Sequence, residues 1–219
     1  MLSLGLSLVF IVVMPFFQGG VIAMADEALD GQTRLQTFVT AGKANYVSIL
    51  VAYLALIAVN FGLGIIGFFV ALFGGVVVLG SGGVGSAGIA VLAVIGLVIG
   101  IAVLLYLVLL FFLQFYGKAI VLDDMGAVDG LKHSVSVVRR NILGTLGYSL
   151  LVGVLGGTFG AIVGTFSILL SPESARAFSL PAISLPLLAG VGLLALVVGV
   201  VFGGVFAMYS VSFYRGLTS

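Results

Sequence analysis

The chain has 219 residues, 62% of them hydrophobic and only 7% charged, with a mean hydropathy of +1.42. Soluble domains carry about 25% charged residues, so this chain has too little polar surface to face water, and the remaining solvent is lipid. The net charge of +1, with no basic patch interleaved with aromatics, excludes a nucleic-acid partner, and the absence of cysteine excludes disulfides, thiolate nucleophiles and thiolate metal sites.

A helix rises about 1.5 Å per residue, so about 20 apolar residues cross a hydrocarbon core of roughly 30 Å. Five runs reach that length: residues 4–24, 46–73, 89–116, 142–170 and 185–214. The first ends at Ala23-Met24-Ala25, which has the small residues of a signal-peptide cleavage site. It lacks the positive n-region such a peptide needs, and it takes part in a repeat described below, so we read it as a span. The second stays apolar as far as Gly80, and Gly74-Gly75 predicts a break or a protruding end there. Several runs exceed the minimum and are expected to tilt or to extend beyond the lipid.

The connections alternate in character. Residues 80–88 carry no charge, and residues 171–184 carry only Glu173 and Arg176. Residues 25–45 and 117–141 hold most of the rest. One side therefore has Arg34, Lys43, Lys118, Lys132, Arg139, Arg140 and Arg215, and the other has Arg176 alone. The positive-inside rule puts the first side, and with it the C-terminus, in the cytoplasm, with Met1 outside.

Both charged connections are expected to form amphipathic helices on the cytoplasmic surface. In the first, Leu35, Phe38, Val39 and Gly42 make the apolar stripe, and Thr33 with Gln36 has capping-box spacing. In the second, Val128, Leu131, Val135 and Val138 make the stripe. Asp129, Lys132, His133, Ser136, Arg139 and Arg140 cover its other faces, and Asp123 or Asp124 is placed to cap its start. Such helices bury an apolar face among headgroups and hold cations near anionic lipid, which marks Arg34, Lys43, Lys132, His133, Arg139 and Arg140 as candidate interfacial residues. The plainer reading, which we prefer, is that they are elbows joining spans.

Residues 16–54 match residues 112–150 without a gap at a constant offset. Phe16 falls on Phe112, Gln18 on Gln114, Lys43 on Arg139 and Asn45 on Asn141, and the polar matches carry the weight. Repeat-like units are therefore placed at about 16–80 and 112–175, within a single membrane domain over 1–219. A fainter likeness joins Phe115-Tyr116 to Phe213-Tyr214.

Candidate chemistry is sparse. Gly80, Gly82 and Gly85 fit a dinucleotide-binding glycine pattern, but they lie between two spans with no acid following, so a flexible loop is expected. His133 has Asp129 one turn away and no further metal ligand, so a solvated histidine is expected. No span carries an ionisable residue at its middle, which argues against a proton-coupled transporter but not against passage of an apolar solute. The amides Gln18, Asn60 and Gln114 are expected to bond between helices. Gly156, Gly160 and Gly164 recur every four residues, a spacing that lets helix backbones approach within one chain or between copies.

Residues 15–46, PFFQGGVIAMADEALDGQTRLQTFVTAGKANY, and residues 119–150, with an acidic pair, Gly126, Leu131, Ser134, Arg139 and Asn141, resemble uncharacterised haloarchaeal membrane proteins. They are also similar to a broader group related to the membrane domain of glycerophosphodiester phosphodiesterases. The resemblance implies about six spans, one more than read here, with the extra one at the start. It implies no agreed activity, and no metal-binding phosphodiesterase motif occurs. The expectation is an all-α polytopic transmembrane helix bundle of about five spans with interfacial amphipathic helices, in a multi-pass cell-membrane protein. It is expected to be no enzyme and to use no cofactor or metal, its partners being the bilayer and a second copy or another membrane protein. The expected role is lipid- or partner-interacting organisation of the membrane, the alternative being a transporter or permease for an apolar or lipid-like solute.

Overall fold

The structure, a computed structural model, describes residues 2–80, 85–169 and 185–219. Among the described residues the chain is all α, without a strand. In order the helices are α1 (Leu2–Leu29), α2 (Leu35–Ala44), α3 (Tyr46–Gly80), α4 (Ser86–Leu113), α5 (Tyr116–Leu122), α6 (Ala127–Arg140), α7 (Ile142–Leu169) and α8 (Leu185–Thr218). Five segments are long and apolar enough to cross a membrane: Val9–Leu29, Tyr46–Gly80, Gly88–Leu122, Ile142–Thr165 and Ala189–Thr218. The connection at 171–184, with Glu173 and Arg176, and the loop glycine Gly82 lie outside the described residues.

Several boundaries differ from the sequence reading, and α1 itself continues to Leu29, past the expected end at residue 24. Of the break or protruding end expected at Gly74-Gly75, the break does not form: α3 runs unbroken to Gly80 and, at 35 residues, is longer than the hydrocarbon core requires. In hydrocarbon no water replaces a lost backbone hydrogen bond, so a glycine pair alone does not open the ladder. Gly74 serves packing instead, because a Cβ there would collide with the Ile95 side chain of α4. In contrast, α4 stops at Leu113, and a short α5 follows after Gln114-Phe115. Finally, α2 starts after Arg34 with no side-chain cap, so the Thr33–Gln36 capping box does not form.

Two compact units divide the chain: Met1–Ala23 with Arg34–Arg139, and Met24–Thr33 with Arg140–Ser219. The core of the first lies where α3 begins. Ile49 and Ala52 of α3 and Ile120 of α5 are fully buried, and Ala127 and Leu131 of α6 pack against them. Glycines set the close approaches here. A Cβ on Gly42 of α2 would stand 2.8 Å from the Phe16 carbonyl oxygen of α1, and one on Gly130 of α6 would stand 2.7 Å from Ile120. Buried Pro15 lies inside α1 and supplies no N–H, so the carbonyl one turn back loses its helical partner. Beside that gap, the Tyr46 hydroxyl donates to the Val12 carbonyl at 3.0 Å.

In the second unit, α7 and α8 pack by aromatic stacking. Tyr148 lies 4.5 Å from Phe213 and Phe159 lies 4.9 Å from Phe202, centroid to centroid. The Tyr148 hydroxyl hydrogen-bonds Ser210. At the end of α8, Arg215 Nε lies 2.7 Å from the Asp26 carboxylate, with Asp30 nearby. Along α3, α4, α7 and α8 most large apolar side chains stay exposed, the pattern expected when the outer solvent is hydrocarbon.

Candidate functional site

The charged connections form a layer of short helices. On α2 only one edge packs. Phe38 meets Phe16 and Phe17 edge-on, each at 5.5 Å, and lies over Gly20. Leu35 is 79% exposed and Val39 is also exposed, so half of the expected stripe faces outward beside Arg34 and Lys43. On α6 the buried face is Gly130, Ser134, Val137 and Val138. That face is rotated from the expected stripe, leaving Val128 59% exposed. Small residues sit at the closest approaches of this face: Gly130 lies against Ile120 of α5, and Ser134 against backbone at the end of α4.

Ser134 carries the chemistry of this layer that the sequence reading missed. Its hydroxyl donates to the Phe112 carbonyl at 2.8 Å and accepts from the Phe115 N–H at 3.1 Å. Those are backbone groups at the break between α4 and α5, where helical partners are lost. The available signal was a hydroxyl one turn from Gly130 on an otherwise apolar face.

Arg34, Lys43, Lys132, Arg139 and Arg140 are all exposed. His133 is half-buried and faces Asp123, with Nε2 3.8 Å from Oδ2, rather than Asp129. Asp123 ends α5, and Asp124, with φ +51°, makes the turn that leads to α6. Lys118 places its Nζ 5.0 Å from the Phe115 ring centroid, a cation–π contact. Among the described residues, no three His, Asp or Glu side chains gather as a metal site would require.

The expected packing glycines Gly156, Gly160 and Gly164 are open: a Cβ at any of them would meet nothing within 4 Å. Within the unit of α7 and α8 they make no close approach. Gly19, Gly20, Gly42, Gly74, Gly117 and Gly130 make close approaches instead. Of the span amides, Gln18 accepts from the Tyr116 hydroxyl at 3.2 Å, linking α1 to α5. Asn60 and Gln114 donate to carbonyls of their own helix, Leu56 and Phe111, both at 2.9 Å.

Two grooves run along α3 and α4. The larger, about 910 Å³, is walled by Leu56, Phe61, Phe68, Phe69 and Leu110 and carries Tyr53, Asn60 and Tyr106. The smaller, about 260 Å³, shares Asn60, Gly64 and Tyr106 with it. In the second unit, Leu151, Leu155 and Phe202 help to line an apolar hollow of about 230 Å³ between α7 and α8.

Comparison with known families gives one match, described as Domain of unknown function (DUF7847), over residues 2–217. The chain belongs to this family. The match reaches into both units and all five long apolar segments. Comparison with curated proteins and with solved structures finds no match.

Proposed function

We propose that the protein is a non-catalytic, multi-pass component of the cell membrane that organises lipid through its layer of short helices. The supporting observation is the mixed surface of that layer. Exposed Arg34 and Lys43 stand beside exposed Leu35 and Val39, and exposed Arg139 and Arg140 adjoin exposed Ile142 and Leu143. Apolar side chains next to cations suit the boundary between acyl chains and anionic headgroups. The positive-inside rule makes this the cytoplasmic face. We also take residues 16–80 and 112–175 as two copies of one unit in a single membrane domain, of haloarchaeal type and related to the phosphodiesterase membrane-domain group. Asn45 and Asn141 each form the one-residue joint before a long helix, which supports that reading.

The test is lipid co-purification. Full-length protein extracted from bilayers of mixed zwitterionic and anionic phospholipid is expected to retain anionic lipid several-fold above the bulk ratio. Replacing Lys43, Lys132, Arg139 and Arg140 by glutamine should return the ratio to that of the bulk. Equal enrichment in both proteins would overturn the proposal.

The grooves on α3 and α4 favour a second reading, passage of an apolar or lipid-like solute. Accelerated exchange of a fluorescent lipid-like tracer between the leaflets of reconstituted vesicles would support it, and exchange at the protein-free rate would remove it.

A further inference from the structure

The long α3–α4 pair carries polar atoms with no role so far. Tyr53, Asn60 and Tyr106 line the larger groove, and Asn60 and Tyr106 line the smaller one as well. The Asn60 Nδ2 donates to its own helix at the Leu56 carbonyl. That bond fixes which end of the amide is nitrogen and leaves Oδ1 as a bare acceptor. Among the described residues no hydrogen bond reaches Asn60 Oδ1 or the hydroxyls of Tyr53 and Tyr106.

Their depth makes this consequential. Along the unbroken α3, Asn60 lies about 21 Å from Tyr46 and about 30 Å from Gly80. A membrane-spanning stretch of about 20 residues therefore includes it in nearly every placement. Hydrocarbon tails can fill the groove but offer no donor to Oδ1, and water does not reach a lipid-facing wall. Phe61, Phe68 and Phe69 stand bulky and exposed along the groove, with Gly64 between them. The volume of about 910 Å³ falls within the range of small-molecule sites, roughly 300–1,000 Å³.

We propose that this groove binds a long-chain amphiphile whose polar end is a hydroxyl. The O–H donates to Asn60 Oδ1, the hydroxyl oxygen accepts from Tyr106 or Tyr53, and the chain lies against the phenylalanine wall. The proposal rests on lipid interaction as the function and names the ligand class of one site.

The probe is hexadecanol carrying a mid-chain diazirine, photolysed with full-length protein in phospholipid nanodiscs. Labelling is expected to saturate and to concentrate on α3 and α4 near Asn60 and Tyr106. Unlabelled hexadecanol should compete at least tenfold better than its methyl ether, which keeps the acceptor but lacks the donor. Asn60→Leu should remove that preference with helix content unchanged, and the isosteric Tyr106→Phe should weaken labelling several-fold should the first variant fail to fold. Three results would overturn the proposal: unsaturable label spread over all five spans, equal competition by alcohol and ether, or cross-links between α3 helices of two copies. None of these would alter the anionic-lipid enrichment, and loss of that enrichment would not alter the alcohol preference, so the two failures are distinguishable.

Discussion

Phe38 and Ser134 occupy matching positions in the aligned segments 16–54 and 112–150, yet they solve different packing problems. Phe38 fills space over Gly20 of a continuous helix, whereas Ser134 inserts a hydroxyl at a break. The partner residues compensate, since Tyr116 takes the position that matches Gly20. Ser134→Ala removes both hydrogen bonds to buried backbone at the α4–α5 break, which costs about 1–3 kcal/mol. A matching fall in unfolding stability in mild detergent would show it, and an unchanged midpoint would deny it. The glycines separate in the same assay. Gly42→Ala forces a Cβ against backbone at 2.8 Å and should cost about 1–3 kcal/mol. Gly156→Ala meets open space and should be neutral or stabilise by up to about 1 kcal/mol. Spacing alone could not tell these glycines apart, because it reports which residues share a helix face and not what that face meets.

At the scale of elements, the long helices were legible because their apolar runs exceed what any soluble element needs. The start of α3 at Tyr46 and of α7 at Ile142 fell at the expected positions. What escaped was set by tertiary contact. The start of α5 is held by Ser134, distant in sequence, whose hydroxyl accepts from the Phe115 N–H. The rotation of α6 sets small side chains at its closest approaches, which a hydrophobic stripe does not encode. The α7–α8 pair was legible as two spans, but its polar tie was not. A double-mutant cycle of Tyr148→Phe with Ser210→Ala should give a coupling of about 0.5–2 kcal/mol, in line with hydrogen bonds between membrane helices. Strict additivity would mean that aromatic stacking alone joins them.

For the whole molecule, composition alone carried the class. Chemistry confined to the ends of spans followed from the positions of so few charges. The groove on α3 and α4 was not legible, since Asn60 read as an interhelical amide until its bond to Leu56 placed it. The central claim is that the long apolar segments face lipid while the charged helices lie together on one boundary. The chain has no cysteine, so any introduced thiol is the sole target for a membrane-impermeant maleimide. Arg34→Cys, Lys132→Cys and Ser219→Cys, each in the full chain in oriented intact vesicles, should react from the same side. Leu104→Cys, 60% exposed in the middle of α4, should react only after detergent dissolves the bilayer. Reaction of Leu104→Cys in intact vesicles as fast as Lys132→Cys, or of Arg34→Cys and Lys132→Cys from opposite sides, would contradict the account.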